Sequence, residues 1–245
     1  MSASRVYAHS RPFAHGFVAP GTPPVRPKDA AALILWREAK GGGVEVLMGR
    51  RSPHARFAPD FFVFPGGGLD PLDHCVGEAS PLDPTFIPAM GVRRNAALAR
   101  ALAIAAVRET FEETGLLLAA PGDTLQTRGG WQEWRRQGLA PALHRLRYFG
   151  RAVTSSQSPI RFNARFFIAR AEALLGEIGG SGELSDVGFH DAAAVIRDRQ
   201  LVDVTEFMLK ALIRHHAADP EHRPATTPLF AYRGKIPFVR QQKLA

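Results

Sequence analysis

The 245-residue chain has one cysteine, Cys75. A single thiol excludes an internal disulfide and any metal site built from several cysteines, and it suits a reducing compartment. No apolar run approaches the roughly 18 residues of a membrane span, so no membrane contact is expected. No long Lys/Arg block occurs, and no basic-aromatic module of the RNA-binding kind, although the net charge is +8. The basic residues are scattered instead, through Arg50, Arg51, Arg56, Arg93, Arg94, Arg135, Arg136, Arg145, Arg147, Arg161 and Arg165. Such a balance favours anionic partners. A phosphorylated small molecule is the stronger reading and nucleic acid the weaker. A cytoplasmic protein is expected, and homodimerisation is compatible with it. No internal repeat is present.

What is there reads as one α/β domain with insertions. The apolar fraction of 45% suffices for a sizeable core. Residues 1–28 carry five prolines and no acid and read as an extended or poorly ordered tail. The domain is expected over 29–219, with inserts near 74–93 and 121–147, followed by a basic, Pro-containing segment over 220–245. Ala31–Arg37 and Val44–Met48 predict a hairpin turned at Gly41-Gly42-Gly43. Phe61–Phe64 predicts a short strand that runs into a Gly66–Gly68 loop. A helix is predicted from about Arg94 through Glu113, burying the stripe Ala97, Ala101, Ile104, Val107 and Phe111. Leu116–Ala119, Tyr148–Thr154 and Arg161–Ala169 predict strands, Glu183–Asp186 an acidic loop, Val187–His190 a short strand and Asp203–His216 a second helix.

Residues 108–115, Arg-Glu-Thr-Phe-Glu-Glu-Thr-Gly, carry the chemistry. Glu109, Glu112 and Glu113 fall at i, i+3 and i+4, on one face of the helix. Like charges at those spacings repel. Gly115 reads as the residue that ends the helix, so the three acids also lie near the negative end of its dipole. A divalent cation reverses both penalties, and oxygen-only ligands suit Mg²⁺ or Mn²⁺.

Upstream lies Phe64-Pro65-Gly66-Gly67-Gly68-Leu69-Asp70-Pro71-Leu72-Asp73. Together the two segments resemble the Nudix hydrolase signature, G-x5-E-x7-R-E-U-x-E-E-x-G-U, where U is a bulky aliphatic. Asp73 stands at the first Glu of that pattern and Thr110 at its first U. Thirty-four residues, not seven, separate Asp73 from Arg108. A box split in this way resembles the coenzyme A-type branch of the family. Arg51, Ser52, Arg56 and Phe64-Pro65-Gly66-Gly67 match an added signature of that branch in register, while Ala58, Asp60 and Phe61 replace its His, Gly and Gln. Arg161–Phe167 is similar to a further segment of the branch.

The resemblance implies a Nudix-type α/β/α sandwich around a mixed β-sheet. It implies metal-dependent cleavage of the diphosphate linkage in a nucleoside-diphosphate derivative. Coenzyme A or its acyl esters lead the substrates, followed by ADP-ribose and dinucleotides. Glu112 and Glu113 would hold metal, with Glu109 as a third ligand or as the base acting on water, and Arg108 would orient the carboxylates. Arg51, Arg56, Gly66 and Gly67 are the candidate substrate contacts. Asp70, Asp73, Glu183 and Asp186 are further acids near the box or in a loop from which relatives recruit one. Two other readings stand beside this one: a non-catalytic nucleotide sensor on the same fold, and an RNA-directed member of the family.

Overall fold

The computed structural model describes residues 18–19, 22–55, 58–126, 128–219 and 225–244. Its strands are β1 Lys28–Glu38, β2 Val44–Arg51, β3 Phe62–Val63, β4 Gly66–Gly68, β5 Ala119–Pro121, β6 Leu139–Pro141, β7 Arg147–Val153, β8 Phe162–Arg170, β9 Leu184–Asp191, β10 Thr226–Arg233 and β11 Ile236–Lys243. Its α-helices are α1 Ala96–Thr114, α2 Trp131–Arg136, α3 Ala192–Asp198 and α4 Asp203–Ala217. The main sheet runs β11-β10-β7-β8-β1-β2-β3, with β4 paired to β1 and β9 to β2. The β1–β8 and β7–β10 pairs are parallel and the others antiparallel, so the sheet is mixed.

Alternation along β1 explains the two layers on this sheet. Ala31, Leu33 and Leu35 pack with α1, whereas Ile34 and Trp36 pack with α3 and α4. β8 follows the same rule, sending Phe167 to the α1 side and Phe166 and Ile168 to the α4 side. The result is the α/β/α sandwich around a mixed sheet that the resemblance implies. Among the described residues no helix is long and apolar enough to cross a membrane.

Helix α1 begins where the Asn95 side chain accepts from the Leu98 N–H at 3.0 Å and ends at Gly115, whose φ of 76° only glycine adopts readily. It differs from the single-stripe expectation. Residues 101–107 are buried on every side, while Ala97 is exposed. The sheet covers one flank, and Val76, Phe86, Met90, Trp131 and Trp134 join the same core from the inserts. The 74–93 insert is therefore a packed layer. The Tyr148 hydroxyl donates to the Ala89 carbonyl at 3.2 Å, and Arg165, 1% exposed, donates to the Met90 carbonyl at 3.0 Å while pairing with Asp29.

Three further differences bear on the site. Gly66–Gly68 is a strand, β4, held against β1 with Gly66 opposite Ala32 and Gly68 opposite Ala30. Most of the expected Glu183–Asp186 loop belongs to β9, which pairs with β2. Residues 226–243, set apart in the sequence reading as a basic segment, form a hairpin that joins the main sheet through β7. The sequence reading also passed over α3, which the Asp191 side chain caps by accepting from the Ala194 N–H at 2.6 Å. Most of the 1–28 tail lies outside the described residues. Of the remainder, Val18 donates its N–H to the Gln157 carbonyl at 2.8 Å.

The C-terminal hairpin is tied to α4 where the Tyr232 hydroxyl donates to Asp203, which is 3% exposed. Burial pushes the Asp203 carboxyl from 3.8 up to about 6, with the Tyr232 hydrogen bond opposing the rise. The folded-state pKa lies above the unfolded one, so this group favours the fold at low pH and loses that contribution as pH rises from 3.8 through about 6. Asp203→Asn, which stays neutral, should gain stability on the wild type by up to roughly 3 kcal/mol between about pH 4 and pH 7. Urea unfolding at both pH values reads this, and a difference independent of pH would contradict it.

Candidate active site

Thirty-five positions after Asp73 the chain returns to it, at Arg108. Arg108 Nε donates to Asp73 Oδ1 at 2.9 Å and Nη2 to Asp73 Oδ2 at 3.1 Å. Nη2 also reaches the Gly68 carbonyl at 3.0 Å, and Nη1 reaches Glu109 Oε1 at 2.8 Å and Glu112 Oε2 at 3.0 Å. A guanidinium has five N–H donors, and each has an acceptor here. This is not a surface ion pair: the Arg108 side chain is 12% exposed and that of Asp73 is 0%. Burial alone would lower the Arg108 pKa, but the Asp73 hydrogen bond and the charges of Glu109, Asp73 and Glu112 outweigh it and raise it.

Glu113 turns towards the sheet and accepts the Gly66 N–H at Oε2, 2.9 Å away. Burial pushes its carboxyl up to about 8; the Gly66 N–H opposes that and the Glu109 charge adds to it. Burial also raises Glu109, against the pull of Arg108. The glycines permit this approach. A Cβ on Gly67 would stand 2.4 Å from the Glu109 carboxylate, and one on Gly66 would stand 2.6 Å from the Ala31 carbonyl oxygen. Thr110 is fully buried, its hydroxyl donating to the Ala106 carbonyl at 2.8 Å.

The loop after β8 caps the C-terminal end of α1. Gly179 donates its N–H to the Thr114 carbonyl and Ser181 to the Glu112 carbonyl, both at 2.8 Å. These bonds satisfy orphan carbonyls of the helix end and deliver Glu183 to the cleft beside Glu112 and Glu113. That cleft has a volume of about 500 Å³. Arg51, Gly66–Gly68, Glu109, Glu112, Glu113 and Glu183 line its polar end, and Phe162, Phe166, Thr154, Val202 and Thr205 its less polar end. Arg51 Nε is buried there with no hydrogen-bond partner among the described residues.

A crystal structure of a Nudix hydrolase from Alicyclobacillus acidocaldarius is 30% identical to this chain, with 78% of this chain and 92% of that one covered and a TM-score of 0.61. The chain belongs to the Nudix hydrolase family. No family model matches its sequence. Lesser likenesses include the MutT Nudix hydrolase of Burkholderia pseudomallei (15% identity, 77% and 99% covered, TM-score 0.46). Another is the Nudix domain of Shewanella oneidensis NrtR, solved with ADP ribose (14%, 79% and 90%, TM-score 0.45).

The Nudix cleft thus gathers Arg51, Gly66, Gly67, Glu109, Glu112, Glu113 and Glu183. Asp73 is buried behind it on Arg108. Two more of the expected acids do not line it either. Asp70 caps the short 3₁₀ turn Pro71–His74, accepting from the Leu72 N–H at 2.8 Å. Asp186 points to Arg199, 3.4 Å away. Arg56 lies outside the described residues. The sequence reading missed Thr154, Val202 and Thr205, which come to the Nudix cleft from β7's end and from α4. Nothing local marks them, because only the sheet order brings them there.

As a metal site, the donor set is hard oxygen with surplus negative charge: among the described residues four carboxylates line the cleft against one guanidinium, that of Arg51. That chemistry fits Mg²⁺ or Mn²⁺. Among the described residues the acids do not converge into a ready cluster; Arg108 holds one oxygen of Glu109 and one of Glu112.

A paired substitution tests the capping loop. Gly180 has φ +116°, and a Cβ there would stand 2.4 Å from the Glu113 carbonyl; Gly182, at φ +82°, faces open space. Both alanine variants are strained, but only Gly180→Ala should displace Glu113 and Glu183. It should lower kcat/KM about tenfold or more relative to Gly182→Ala, since small misplacements at a reacting centre are costly. Equal losses would show that the contact plays no part.

Proposed function

We propose that this Nudix hydrolase splits the diphosphate linkage of a nucleoside-diphosphate derivative, with Mg²⁺ or Mn²⁺ held by Glu112 and Glu113 and with Glu109 as third ligand or as base. The observation that carries the reading is the five-donor lock of Arg108, which closes the split box and fixes Glu109 and Glu112 at a cleft that also holds Glu113 and the Arg51 guanidinium. A divalent ion bound there supplies charge neutralisation and an acidified water. The chain's own groups do the rest. Arg51 offers its guanidinium to a phosphate oxygen, a charge-assisted contact. Backbone of Gly66 and Gly67 lets a diphosphate approach because no side chain intervenes. Arg108 holds Glu109 and Glu112 in fixed orientations, so the barrier is lowered by positioning as well as by charge. Phe162, Phe166 and Val202 shield the remainder of the substrate from water.

Among diphosphates, coenzyme A and its acyl esters stand first, supported by the split box, by Arg51 and Ser52 in register and by an apolar cleft end suited to an extended, weakly polar group. ADP-ribose and dinucleotides follow.

Hydrolysis of coenzyme A, acyl-coenzyme A, ADP-ribose, NADH and diadenosine polyphosphates with Mg²⁺ or Mn²⁺ tests the assignment. Turnover of at least one is expected, lost on chelation and reduced roughly a hundredfold or more by Glu112→Gln or Glu113→Gln. Turnover that survives both substitutions and chelation would refute the residue assignment. Tight nucleotide binding with no turnover would instead favour a sensor.

A further inference from the structure

A second cavity, of about 370 Å³, lies at the far end of α4. Trp36, Ile168 and Ala169 form its apolar part, and Arg145, Arg147, Arg170, His215 and His216 bring basic groups to it against one carboxylate among the described residues, Glu38. It is distinct from the Nudix cleft. On β1 the cleft takes Ala30–Ala32 and this cavity takes Trp36 and Glu38. On α4 the cleft takes Thr205 and the cavity His215 and His216, about 16 Å along the helix.

The three guanidiniums are not equally compensated. Arg170 is neutralised by Glu38 and Glu172, each at 3.2 Å, and lies over the Trp36 ring at 4.3 Å. Arg145 is fixed by donating Nη1 to the carbonyls of Ala119 and Ala173 at 3.0 and 2.9 Å, which hold it without cancelling its charge. The Arg147 side chain is exposed and makes no hydrogen bond or ion pair with a described residue, although Asp83 is near enough to sense its charge. One fixed and one free-standing cation, neither in an ion pair with a described carboxylate, thus face one concavity.

We propose that this cavity is a second binding site, which takes the phosphate group of a small phosphorylated molecule between Arg145 and Arg147. Guanidiniums suit phosphate because their donors match its oxygens two at a time. The volume is that of a small-molecule site. An RNA backbone fits less well: its bases would need an aromatic face to stack on, and Trp36 is 7% exposed beneath Arg170.

The position of Trp36 supplies a local probe. In the full-length protein, inorganic phosphate and glycerol phosphate should shift the Trp36 indole N–H resonance, assigned with Trp36→Phe, while leaving those of Trp131 and Trp134 in place. Arg147→Glu should weaken this response about tenfold or more, the loss expected of one charge-assisted contact. It should leave hydrolysis in the Nudix cleft unchanged, which also reports that the variant folds. Arg136→Glu, the same charge change on α2, should weaken nothing. An unshifted Trp36 signal would overturn the proposal, as would equal affinity in Arg147→Glu or equal loss in Arg136→Glu. So would an effect of Arg147→Glu on single-stranded RNA binding with phosphate binding intact.

Discussion

The buried pair between Arg108 and Asp73 is the contact on which the rest of the site depends. Closing a loop of thirty-four residues instead of seven costs only about 1.4 kcal/mol more in chain entropy. Breaking a buried ion pair by removing one partner costs roughly 3–5 kcal/mol. With Asp73 fully buried, any state that separates the two would strand a charge, and the insert is further anchored by its own buried side chains, Val76, Phe86 and Met90. Arg108 also sets the direction of the carboxylates. Two of its donors are on Asp73 and one is on the Gly68 carbonyl. The remaining pair is thereby aimed at Glu109 and Glu112.

The same contact explains how a helix can carry three acids in its last two turns. Repulsion among them is relieved in three different ways. Glu109 and Glu112 share Arg108, Glu113 takes a backbone N–H from β4, and the helix end is capped by N–H groups of the Gly-rich loop over 176–182. Residual strain remains in the raised carboxyls of Glu109 and Glu113, both set by burial. A stability-driven sequence would remove it. Its retention beside the Arg51 guanidinium fits a cleft shaped for a cation and an anion together.

Much of this was legible in the sequence because it is local. Spacing alone put Glu109, Glu112 and Glu113 on one face, and the Gly115 stop and the β1–β2 hairpin follow from turn chemistry. The role of Asp73 could be suspected only from the signature, since nothing in the intervening residues says that the chain returns. The single-stripe expectation for α1 failed for a physical reason. Alanines at 99, 101, 103, 105 and 106 are too small to display a polar and an apolar side, so the helix tolerates cover on both flanks. Asp70 and Asp186 look like site acids in one dimension. In three, one caps a turn and the other faces Arg199. The hairpin β10–β11 was hidden by its prolines and charges, and its place at the sheet edge depends on a parallel pairing with β7 that no short-range pattern encodes.

Side-chain volume then decides where on the sheet the cleft opens. On the α4 side, β1 presents Ala30, Ala32, Ile34 and Trp36 in turn, small at one end and large at the other. Ala30 stands beside Ala164 of β8, and Ala164 beside Ala152 of β7. Three neighbouring strands thus carry alanine in one row, and α4 cannot close over them as it does over Ile34 and Ile168. The vacant layer is the less polar half of the cleft, reached from the carboxylate end past Gly66. Larger residues at Ala30, Ala152 or Ala164 would fill the floor without touching the charged groups. Binding of the organic part of a substrate and cleavage of its diphosphate therefore rest on separate sets of residues, the alanine row with Phe162 and Phe166 on one side and the α1 carboxylates on the other.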